Sequence, residues 1–522
     1  MDTPTRRTRP RSDTRILAVI SALAVALSIV LAAPPANAAS KPVKFTQVSA
    51  AYSHALALSS DGAVYEWGVS GFSASYGSTQ ALRPTRVQAP LSVRFKAIAA
   101  GDDVNAALTT SGDVYTWGQN YAGQLGNGKK SKAYSTPPMK PVKVKRPKGV
   151  KFTAIAVGYK HVLALANNGA VYAWGGNDHG QLGDGTKKDR SQPVKVKLPK
   201  GFKAARISTT QYATSFAVAK NGTAYAWGSN ANAEHGNGKI DPFRSDYSIR
   251  AHTKPVKMAP PKGVNYTSVA QGSYLATGSD GAVYAWGRND SGNLGTGTWD
   301  KYDCGMCRVD FHTEPVRVLL PKSVKVKQLE SSTDNRYALA TNGTLYAWGN
   351  GYDGLNGNGS RKRQTKPVKV KMPKNVKVKQ VSASTNYALA VGSNGTVYAW
   401  GTNVFGTFAN GKVTKTSAKP RVKPVAVKSP ALAKLSATST PRITGTAQAG
   451  KVLKAVPGTW KPTGVKRTYQ WFRNGKKIPN ATTSTYRLTS QDRGKKITVK
   501  VSGKAPGYAQ VTKTSSTVTV RR

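Results

Sequence analysis

The chain has 522 residues, with 78 Lys and Arg against 23 Asp and Glu, which gives a formal net charge of +55. This length is too great for one ordinary compact domain. The 39% hydrophobic content and the recurrent aromatic and β-branched segments argue against disorder. Two cysteines exclude a disulfide-rich scaffold, and 51 Gly and 29 Pro favour many short strands over long helices.

Residues 1–38 have the pattern of an export signal. Five arginines precede an uncharged apolar run over 16–33, and the stretch ends in Ala36-Asn37-Ala38, a small-x-small pattern that signal peptidase accepts. Arg6-Arg7 could indicate twin-arginine export, but Thr-Arg-Pro follows where that signal has apolar residues. The general secretory route is therefore favoured. An uncleaved anchor is the alternative, because 18 apolar residues just span a bilayer. We expect cleavage after Ala38 and a mature protein that is secreted or associated with the cell wall.

The dipeptide Trp-Gly recurs seven times, at intervals of 50 to 62 residues. Each Trp ends a short alternating segment, and a turn dipeptide such as Asn168-Gly169 precedes that segment. Asn-Gly and Asp-Gly tolerate the positive φ of a two-residue hairpin, which places another strand upstream, as at residues 162–165. The recurrent tryptophans are Trp67, Trp117, Trp174, Trp227, Trp286, Trp348 and Trp400.

Two further segments complete the repeating unit. A glycine-rich loop follows each Trp, as at residues 118–128 and 175–185. A further alternating strand reads Pro-Val-Lys-Val-Lys at residues 141–145, 193–197 and 367–371. Four short strands per unit, repeated seven times, predict an all-β, seven-bladed β-propeller over residues 39–428.

The loops of the form Trp-Gly-x-Asn-x-x-Gly-Gln-Leu-Gly, with the segment 158–165, resemble the repeats of the regulator of chromosome condensation family. The resemblance covers roughly residues 41–428. It implies a propeller that binds other molecules through its loops. The motif histidine stands at His54 and His161, but we place Asn105 at the equivalent position of the second unit. That histidine is therefore not a shared catalytic group.

The two ends of the repeat region suggest how the ring closes. The first unit begins at Val43 without a preceding Pro-Val-Lys-Val strand, whereas residues 424–427 follow the seventh loop with no unit after them. We predict that 424–427 joins the blade formed by residues 43–67. Such sharing would hide two sheet edges.

Residues 429–522 predict a separate module. Alternating segments at 469–473 and 497–501 are bounded by turn residues. Pro457-Gly-Thr-Trp460 and Tyr469-Gln-Trp471 resemble the immunoglobulin-like modules of secreted proteins from Gram-positive bacteria. The resemblance implies a small β-sandwich that packs on Trp471 without the disulfide of antibody domains.

The sequence offers few candidates for catalysis. Most carboxylates stand in turns, and we interpret the one adjacent acidic pair, Asp102-Asp103, as a solvated turn, since neighbours in an extended chain point opposite ways. His179 and His235, which we place at comparable loop positions, are interpreted as surface or turn residues. No glycine run carries the Gly-Lys-Ser/Thr of a phosphate loop. We expect no enzymatic activity, no cofactor and no bound metal.

Cys304 and Cys307 form the only Cys-x-x-Cys of the chain. In an exported protein this pair predicts a small disulfide that staples a loop. Redox or metal chemistry is the alternative.

The excess of positive charge has two interpretations. The alternation in Val142-Lys143-Val144-Lys145 predicts an outer strand whose lysines face water and discourage edge pairing. Solubility needs far less than +55, so the surface is also expected to attract polyanions such as acidic cell-wall polymers. Nucleic acid is less favoured, because no aromatic platform is regularly interleaved with the lysine rows.

These observations favour a secreted, non-enzymatic scaffold that binds an anionic cell-envelope polymer or a protein partner through propeller loops. The chain is also similar to β-lactamase-inhibiting propellers of actinobacteria, which makes enzyme inhibition an alternative. Guanine-nucleotide exchange on a small GTPase is implied by the family name, but export separates the chain from cytosolic GTPases. A glycosidase or lyase propeller would need a carboxylate cluster that is missing here.

The partner site is predicted from two insertions. The largest Trp-to-Trp intervals, 59 and 62, belong to consecutive units and gain their length after Gly238 and Gly297. Equivalent positions in adjacent blades emerge on one face, so the insertions are expected to form one lobe rich in aromatic residues and arginine. Packing of Trp299 and Phe311 onto the propeller is the alternative. The predicted partner-binding residues are Phe243, Arg244, Tyr247, Trp299, Tyr302, Arg308 and Phe311.

Overall fold

The structure of the chain is a computed structural model. The described part contains no helix that is both long and apolar enough to span a bilayer. The predicted export segment, residues 1–38, lies outside the described residues. The structure describes residues 42–70, 79–132, 140–210, 213–241, 250–272, 274–300, 311–413, 419–437 and 439–522.

Seven four-stranded sheets follow one another along the described chain, and the strands of each pair antiparallel in chain order. The strands of the first four sheets are β1 (Phe45–Ala50), β2 (His54–Ser59), β3 (Val64–Ser70), β4 (Thr79–Arg86); β5 (Phe95–Ala100), β6 (Val104–Thr109), β7 (Val114–Gly118), β8 (Val142–Lys143); β9 (Phe152–Val157), β10 (His161–Ala166), β11 (Val171–Gly175), β12 (Arg190–Lys195); and β13 (Ala204–Thr209), β14 (Thr214–Ala219), β15 (Ala224–Gly228), β16 (His252–Lys257).

The remaining three sheets repeat this arrangement, and the predicted all-β fold built from four-stranded units is confirmed. Their strands are β17 (Tyr266–Val269), β18 (Leu275–Gly278), β19 (Val283–Arg288), β20 (Phe311–Arg317); β21 (Val326–Ser331), β22 (Asn335–Ala340), β23 (Leu345–Gly349), β24 (Gln364–Lys369); and β25 (Val378–Ala383), β26 (Tyr387–Gly392), β27 (Val397–Gly401), β28 (Arg421–Ala426).

The turn glycines that the sequence identified lie in the hairpins between the second and third strands. Gly169, between β10 and β11, has a φ of 83°, which a residue with a side chain rarely adopts. The connection is longer than the predicted two residues, because residues 167–170 separate the strands. The Gly169 N–H donates to the Ala166 carbonyl, and the Ala166 N–H donates to the Ala170 carbonyl, so the hairpin closes around a wider loop.

The strand registers correct the placement of the motif histidine. His54 pairs with Gly68, and Val104 pairs with Gly118, so Val104 is the equivalent of His54. The interpretation of Asn105 as that equivalent is wrong by one residue. Asn105 instead hydrogen-bonds to His54 across the sheet boundary, with 2.9 Å between Oδ1 and Nε2.

The recurrent tryptophans are buried and lie against the glycine-rich loop of the preceding unit. Trp174 Nε1 donates to the Gln124 carbonyl at 3.0 Å, and a Cβ on Gly126 would come within 2.6 Å of the same indole. Five other tryptophans donate in the same way, including Trp67, whose acceptor belongs to the seventh unit. The Trp and the glycine-rich loop are thus two sides of one contact that joins neighbouring sheets.

Trp117 is the exception among the seven. Its Nε1 donates to Glu66 Oε2 at 3.0 Å, and Asn105 Nδ2 donates to Glu66 Oε1 at 3.3 Å. The first unit has no Gly-Gln-Leu-Gly sequence after Trp67. A buried carboxylate therefore supplies the acceptor that a loop carbonyl supplies elsewhere.

The ring-closure prediction is wrong. β4 is the outer strand of the first sheet, whereas residues 424–427 belong to or follow β28 in the seventh sheet. Each unit therefore folds into its own sheet, and no strand is shared. β1 contacts the seventh sheet through Gln380, which accepts from the Val48 N–H at 2.8 Å and donates to the Val48 carbonyl at 3.0 Å. The ring is therefore closed by the side-chain amide of Gln380, by backbone hydrogen bonds and by the indole N–H of Trp67, and no strand is shared.

The C-terminal segment is also built of strands, and Trp471 is fully buried in its core, as predicted. Its assignment as an immunoglobulin-like module stays a prediction. Its elements are β29 (Ala433–Lys434), β30 (Ser436–Ala437), β31 (Arg442–Thr444), β32 (Val452–Val456), β33 (Trp460–Lys461), β34 (Lys466–Arg473), β35 (Lys476–Lys477), β36 (Thr485–Arg487), a 3₁₀ helix (Ser490–Asp492), β37 (Lys496–Lys504), β38 (Tyr508–Ala509), β39 (Val511–Thr514) and β40 (Val518–Thr519).

The C-terminal segment docks on the hairpin end of the first sheet. Asp61 Oδ2 accepts from the Gly507 N–H at 2.6 Å. Arg86 Nε donates to the Pro506 carbonyl at 3.1 Å, and its guanidinium lies 5.1 Å from the centre of the Tyr508 ring. A carboxylate, a cation and an aromatic ring thus hold this segment against the propeller.

Candidate binding site

One end of the propeller carries both the glycine-rich loops and the connections between the first and second strands of the sheets. We term this end the loop face. Backbone bonds hold the two kinds of segment together: the Gln119 N–H donates to the Asp103 carbonyl at 2.7 Å, and the Asn350 N–H donates to the Asp334 carbonyl at 3.0 Å. The turn that contains Asp61, on which the C-terminal segment docks, lies at the opposite end.

Aromatic side chains stand on the loop face of six of the seven sheets. Tyr52 is 44% exposed, and its ring centre lies 5.4 Å from that of Phe405 in the seventh sheet. Aromatic residues dominate the energetics of protein interfaces, which makes this face the candidate binding surface. The aromatic residues are Tyr52, Tyr121, Tyr159, Tyr274, Trp299, Tyr352 and Phe405.

Two exposed aromatic residues of this face, Trp299 and Tyr352, contact arginines. The Arg363 guanidinium lies 3.9 Å from the centre of the Trp299 ring, and Trp299 stays 40% exposed. Arg361 Nε donates to the Tyr352 carbonyl at 2.8 Å, and Tyr352 is 64% exposed. We term these four residues the Trp299 patch. It joins the insertion of the fifth unit to the loop of the sixth.

Most residues of the predicted partner lobe lie outside the described residues, so its existence stays a prediction. Of the seven, the structure places Trp299 and Phe311. Phe311 is half-buried and begins β20, where it pairs with Arg288 in the ladder of the fifth sheet. The members outside the described residues are Phe243, Arg244, Tyr247, Tyr302 and Arg308, and the predicted disulfide residues Cys304 and Cys307 lie there too.

The interpretation of Asp102-Asp103 as a solvated turn is wrong. Asp103 is buried and accepts a hydrogen bond from the Tyr121 hydroxyl, while Asp102 Oδ1 accepts from the Tyr52 N–H at 2.8 Å. Burial raises the pKa of both carboxyls. The two side chains bind different partners, so they position loops of the first and second units.

The two loop histidines are not at comparable positions. His179 follows Trp174 by five residues, whereas His235 follows Trp227 by eight, where three other loops have leucine. His235 is fully buried and packs against His252 with ring centres 4.8 Å apart, so its interpretation as a surface residue is wrong. Burial lowers the pKa of His235 to about 3, which keeps its imidazole neutral.

The first strands of the sheets surround a central cavity of about 190 Å³. Gln47, Gln328 and Gln380 line it and clamp the backbone of the next sheet. Glu330 is a buried carboxyl in this lining that accepts from Ser382 Oγ at 3.2 Å. Burial raises the pKa of Glu330 to about 8. Within the described part, no group of three or more His, Cys, Asp or Glu residues is arranged to hold a metal ion.

A second cavity, of about 110 Å³, opens between the fifth and sixth sheets on the loop face. Two arginines, Arg288 and Arg336, line it together with Tyr274. Arg336 is 1% exposed, and sequence analysis missed it. The available signal was an arginine inside the strand Asn335–Ala340, at a position that is uncharged in the other units.

Comparisons with known families agree with the repeat architecture. Residues 26–272 match the RCC1-like domain, and residues 280–335, 342–391 and 378–407 match the regulator of chromosome condensation (RCC1) repeat. The chain carries an RCC1-like repeat β-propeller. The predicted RCC1-like propeller is confirmed at this level, while its bounds at residues 39 and 428 and its assignment to a secreted actinobacterial kind stay predictions.

Two relatives show how far the sequence similarity extends. The ultraviolet-B receptor UVR8 of Arabidopsis thaliana is 29% identical over 377 residues, which cover 71% of this chain and 80% of the receptor. The E3 ubiquitin-protein ligase HERC2 of Homo sapiens is 30% identical over 271 residues, or 51% of this chain, but these cover 5% of the ligase. The similarity to HERC2 is thus confined to a small part of that protein.

Solved structures show the same fold. Prp20p from Saccharomyces cerevisiae superposes with a TM-score of 0.54 at 22% identity, covering 67% of this chain and 82% of Prp20p. Human WBSCR16 superposes with a TM-score of 0.56 at 19% identity, covering 72% of this chain and 96% of WBSCR16. RCC1-like propellers of this kind are a protein-binding scaffold type, and the chain has that scaffold.

Proposed function

We propose that the chain is a secreted, non-enzymatic scaffold whose loop face binds an acidic protein partner. The observation that carries this proposal is the Trp299 patch, in which the exposed Trp299 ring stacks on Arg363 and Arg361 bonds the backbone of the exposed Tyr352, on loops of two adjacent sheets. Tryptophan, tyrosine and arginine are the residue types enriched among interface hot spots. Two neighbouring units contribute to this one surface.

The charge of the chain supports an acidic partner. A net charge of +55 steers association with negatively charged surfaces and raises the association rate at low salt. Prp20p, which shares the fold, has described binding properties to Gsp1p and histones. Secretion is supported by the arginines, apolar run and small-residue site of residues 1–38.

A pull-down from the medium and envelope of the producing cell, with the mature chain as bait, tests the proposal. Trp299→Ala is expected to reduce capture of the partner at least tenfold, because a hot-spot aromatic contributes about 2 kcal/mol or more. The melting temperature should stay unchanged, since Trp299 lies on an exposed loop. Undiminished capture by Trp299→Ala would overturn the assignment of the site.

An anionic cell-envelope polymer is the second candidate, favoured by the outer strands. Lys195, Lys257 and Lys369 recur at exposed ends of these strands. A variant with these three lysines changed to Gln separates the candidates. It should retain the protein partner, but it should lose retention on isolated envelope if a polymer is bound.

The salt dependence of binding distinguishes the protein partner from the envelope polymer independently. Binding through exposed lysines should fall steeply as salt rises to about 1 M, where charges are screened within about 3 Å. Capture through the Trp299 patch should persist in part, because its aromatic contacts are less sensitive to salt. Envelope retention that does not change in about 1 M salt would exclude the polymer.

A further inference from the structure

The sixth sheet has a buried arginine where no other sheet has a charge. Arg336 pairs with Trp348, and the residues that pair with the recurrent Trp of the other sheets are uncharged. The propeller fold therefore needs no cation at this position. The equivalent residues are Ala55, Asn105, Val162, Ser215, Tyr274 and Ala388.

The fifth sheet provides the space in front of Arg336. Three residues, 271–273, separate Ala270 from Tyr274, whereas five residues, 50–54, separate the equivalent Ser49 and Ala55. Tyr274 has a φ of 64°, a left-handed conformation that is unusual for a bulky residue and that clusters at functional sites. The shortened connection borders the cavity of about 110 Å³ described above, which we term the Arg336 cavity.

The bonds of Arg336 leave part of its guanidinium unused. Nη1 donates to the carbonyls of Ser332 at 2.6 Å and Thr333 at 3.3 Å, whereas Nε is buried without an acceptor. The ring centre of Tyr274 lies 5.3 Å from the guanidinium carbon. A guanidinium has five N–H donors, so the bonds from Nη1 to backbone carbonyls leave other donors, including Nε–H, available for a ligand.

The carboxylates of Asp334 and Asp290 attract the Arg336 guanidinium, whereas the Arg288 guanidinium repels it. Asp290, on the neighbouring sheet, is bonded to Arg288 at 2.6 Å. Burial lowers the pKa of Arg336 to about 10, which still leaves it charged at neutral pH. Burying a charge is costly, and an anion hydrogen-bonded to the free Nε–H of the guanidinium would offset part of that cost.

We infer that the Arg336 cavity is a binding site for a carboxylate, anchored by the Arg336 guanidinium and bounded by the Tyr274 ring. The planar fork of a guanidinium matches the two oxygens of a carboxylate, and such pairs are among the stronger hydrogen-bonded contacts in proteins. The carboxylate belongs either to a free small acid or to an acidic side chain of a peptide. This site is separate from the Trp299 patch and does not depend on the proposed function.

A purely structural role would make Arg336 a cap for the carbonyls of Ser332 and Thr333. A neutral donor would serve that role equally well, whereas carboxylate binding needs the charge. The experiment therefore has to measure binding of an anion and must not rely on stability alone.

Calorimetric titration of the full mature chain with succinate, and separately with the tripeptide Gly-Glu-Gly, tests the inference in about 0.15 M salt, where surface charges are screened. We expect one saturable site, weakened at least tenfold by Arg336→Gln. Arg317→Gln is the matched control, because it removes an exposed arginine at the end of β20 in the fifth sheet, outside the cavity, and it should leave this binding unchanged. Binding of succinate alone assigns the site to free acids, and binding of the tripeptide alone assigns it to acidic chains.

A second pair of variants keeps Arg336 in place in case its removal impairs folding. Thr333 lines the cavity, so Thr333→Glu would tether a carboxylate beside the guanidinium. We expect Thr333→Glu to abolish binding of the free anion and to raise the melting temperature, while Thr333→Gln does neither. The inference is overturned if the unchanged chain binds neither probe, or if Thr333→Glu binds as strongly as Thr333→Gln.

Discussion

The third and sixth sheets have the same strand arrangement, but two buried positions that are apolar in the third sheet carry ionisable side chains in the sixth. Both have a buried Trp at the end of the third strand and the same strand pairing. Ala156 and Val162 in the third sheet correspond to Glu330 and Arg336 in the sixth. Where the third sheet is apolar, the sixth thus buries one carboxyl beside the central cavity and one guanidinium beside the loop face.

This comparison distinguishes the contacts that support the propeller fold from the features that form the proposed anion site at the sixth sheet. The third sheet meets the fourth through packed and hydrogen-bonded groups: Ser215 Oγ donates to the Gln181 carbonyl at 2.8 Å, and His161 Nε2 lies 2.9 Å from Ser215 Oγ. At the boundary of the fifth and sixth sheets, a shortened connection and an arginine border a cavity. Contacts that occur at both sheet boundaries support the fold. The proposed anion site depends on features that occur only at the boundary of the fifth and sixth sheets.

Removal of the shared indole should damage both sheets equally. Trp174→Ala and Trp348→Ala each delete a fully buried side chain and its bond to a loop carbonyl. We expect each variant to lower the free energy of unfolding by about 4 kcal/mol. Urea denaturation of the two variants measures this. A much smaller loss for Trp348→Ala would show that the sixth sheet is held by other contacts.

An arginine in the third sheet should be poorly tolerated. Val162 is fully buried in an apolar cluster with Leu125 and Trp174. We expect Val162→Arg to cost about 3 to 4 kcal/mol, from overpacking and from an unpaired charge. Val162→Met is the control for size and should cost about 1.5 kcal/mol or less. Equal stability of the two variants would contradict the claim that the fifth sheet makes special room.

The two sheets should respond to pH in opposite directions. Burial lowers the pKa of His161 from 6.5 to about 3, so the unfolded chain binds the extra proton and stability rises with pH across that range. Burial raises the pKa of Glu330 from 4.5 to about 8, so the folded chain keeps the extra proton and stability falls as pH rises from 4.5 to 8. We expect each group to contribute on the order of 3 kcal/mol across its range.

Glutamine variants separate the contributions of Glu330 and His161 to the change of stability with pH. Glu330→Gln should remove the loss of stability towards pH 8, whereas His161→Gln should reduce the loss towards pH 3 and leave the remainder that His235 causes. Denaturation curves at several pH values measure both effects. A Glu330→Gln variant that loses stability towards pH 8 as steeply as the unchanged chain would refute a protonated, buried Glu330.

The smallest expected effect concerns loops that both sheets use. Gly183 has a φ of 62° and packs on Trp227, while Gly357 has a φ of 59° and packs on Trp400. Alanine at either position should cost about 2 kcal/mol, because the left-handed conformation and the nearby indole both disfavour a Cβ. Thermal unfolding should show similar losses. A loss confined to Gly183→Ala would mean that the loop of the sixth sheet packs less tightly.

Much of this architecture can be predicted from the sequence, because the same residues recur at the same spacing. The recurrent Trp, the turn glycine and the glycine-rich loop locate strands and loops in every unit. Ring closure could not be predicted in this way, since it depends on side chains such as Gln380 that bond to a backbone more than 300 residues away. The first unit lacks a Gly-Gln-Leu-Gly sequence after Trp67, and nothing in the sequence indicates that the Glu66 carboxylate accepts the hydrogen bond of Trp117 in its place.

The candidate site was less predictable than the fold. Trp299 was identified from the length of its insertion, and its stacking with Arg363 depends on how two loops meet. Arg336 carries no motif, and its importance follows from its burial and from a deletion in the neighbouring sheet. Asp103 and His235 were misread because a turn-forming residue in the sequence can be buried once seven units close around one another.

A crystal structure of the mature chain grown with succinate tests the proposed anion site most directly. We predict electron density for a carboxylate in the Arg336 cavity, with oxygen atoms within hydrogen-bonding distance of the guanidinium and beside the Tyr274 ring. Solvent alone in the cavity at saturating succinate, with Arg336 turned towards Asp290 or Asp334, would contradict it.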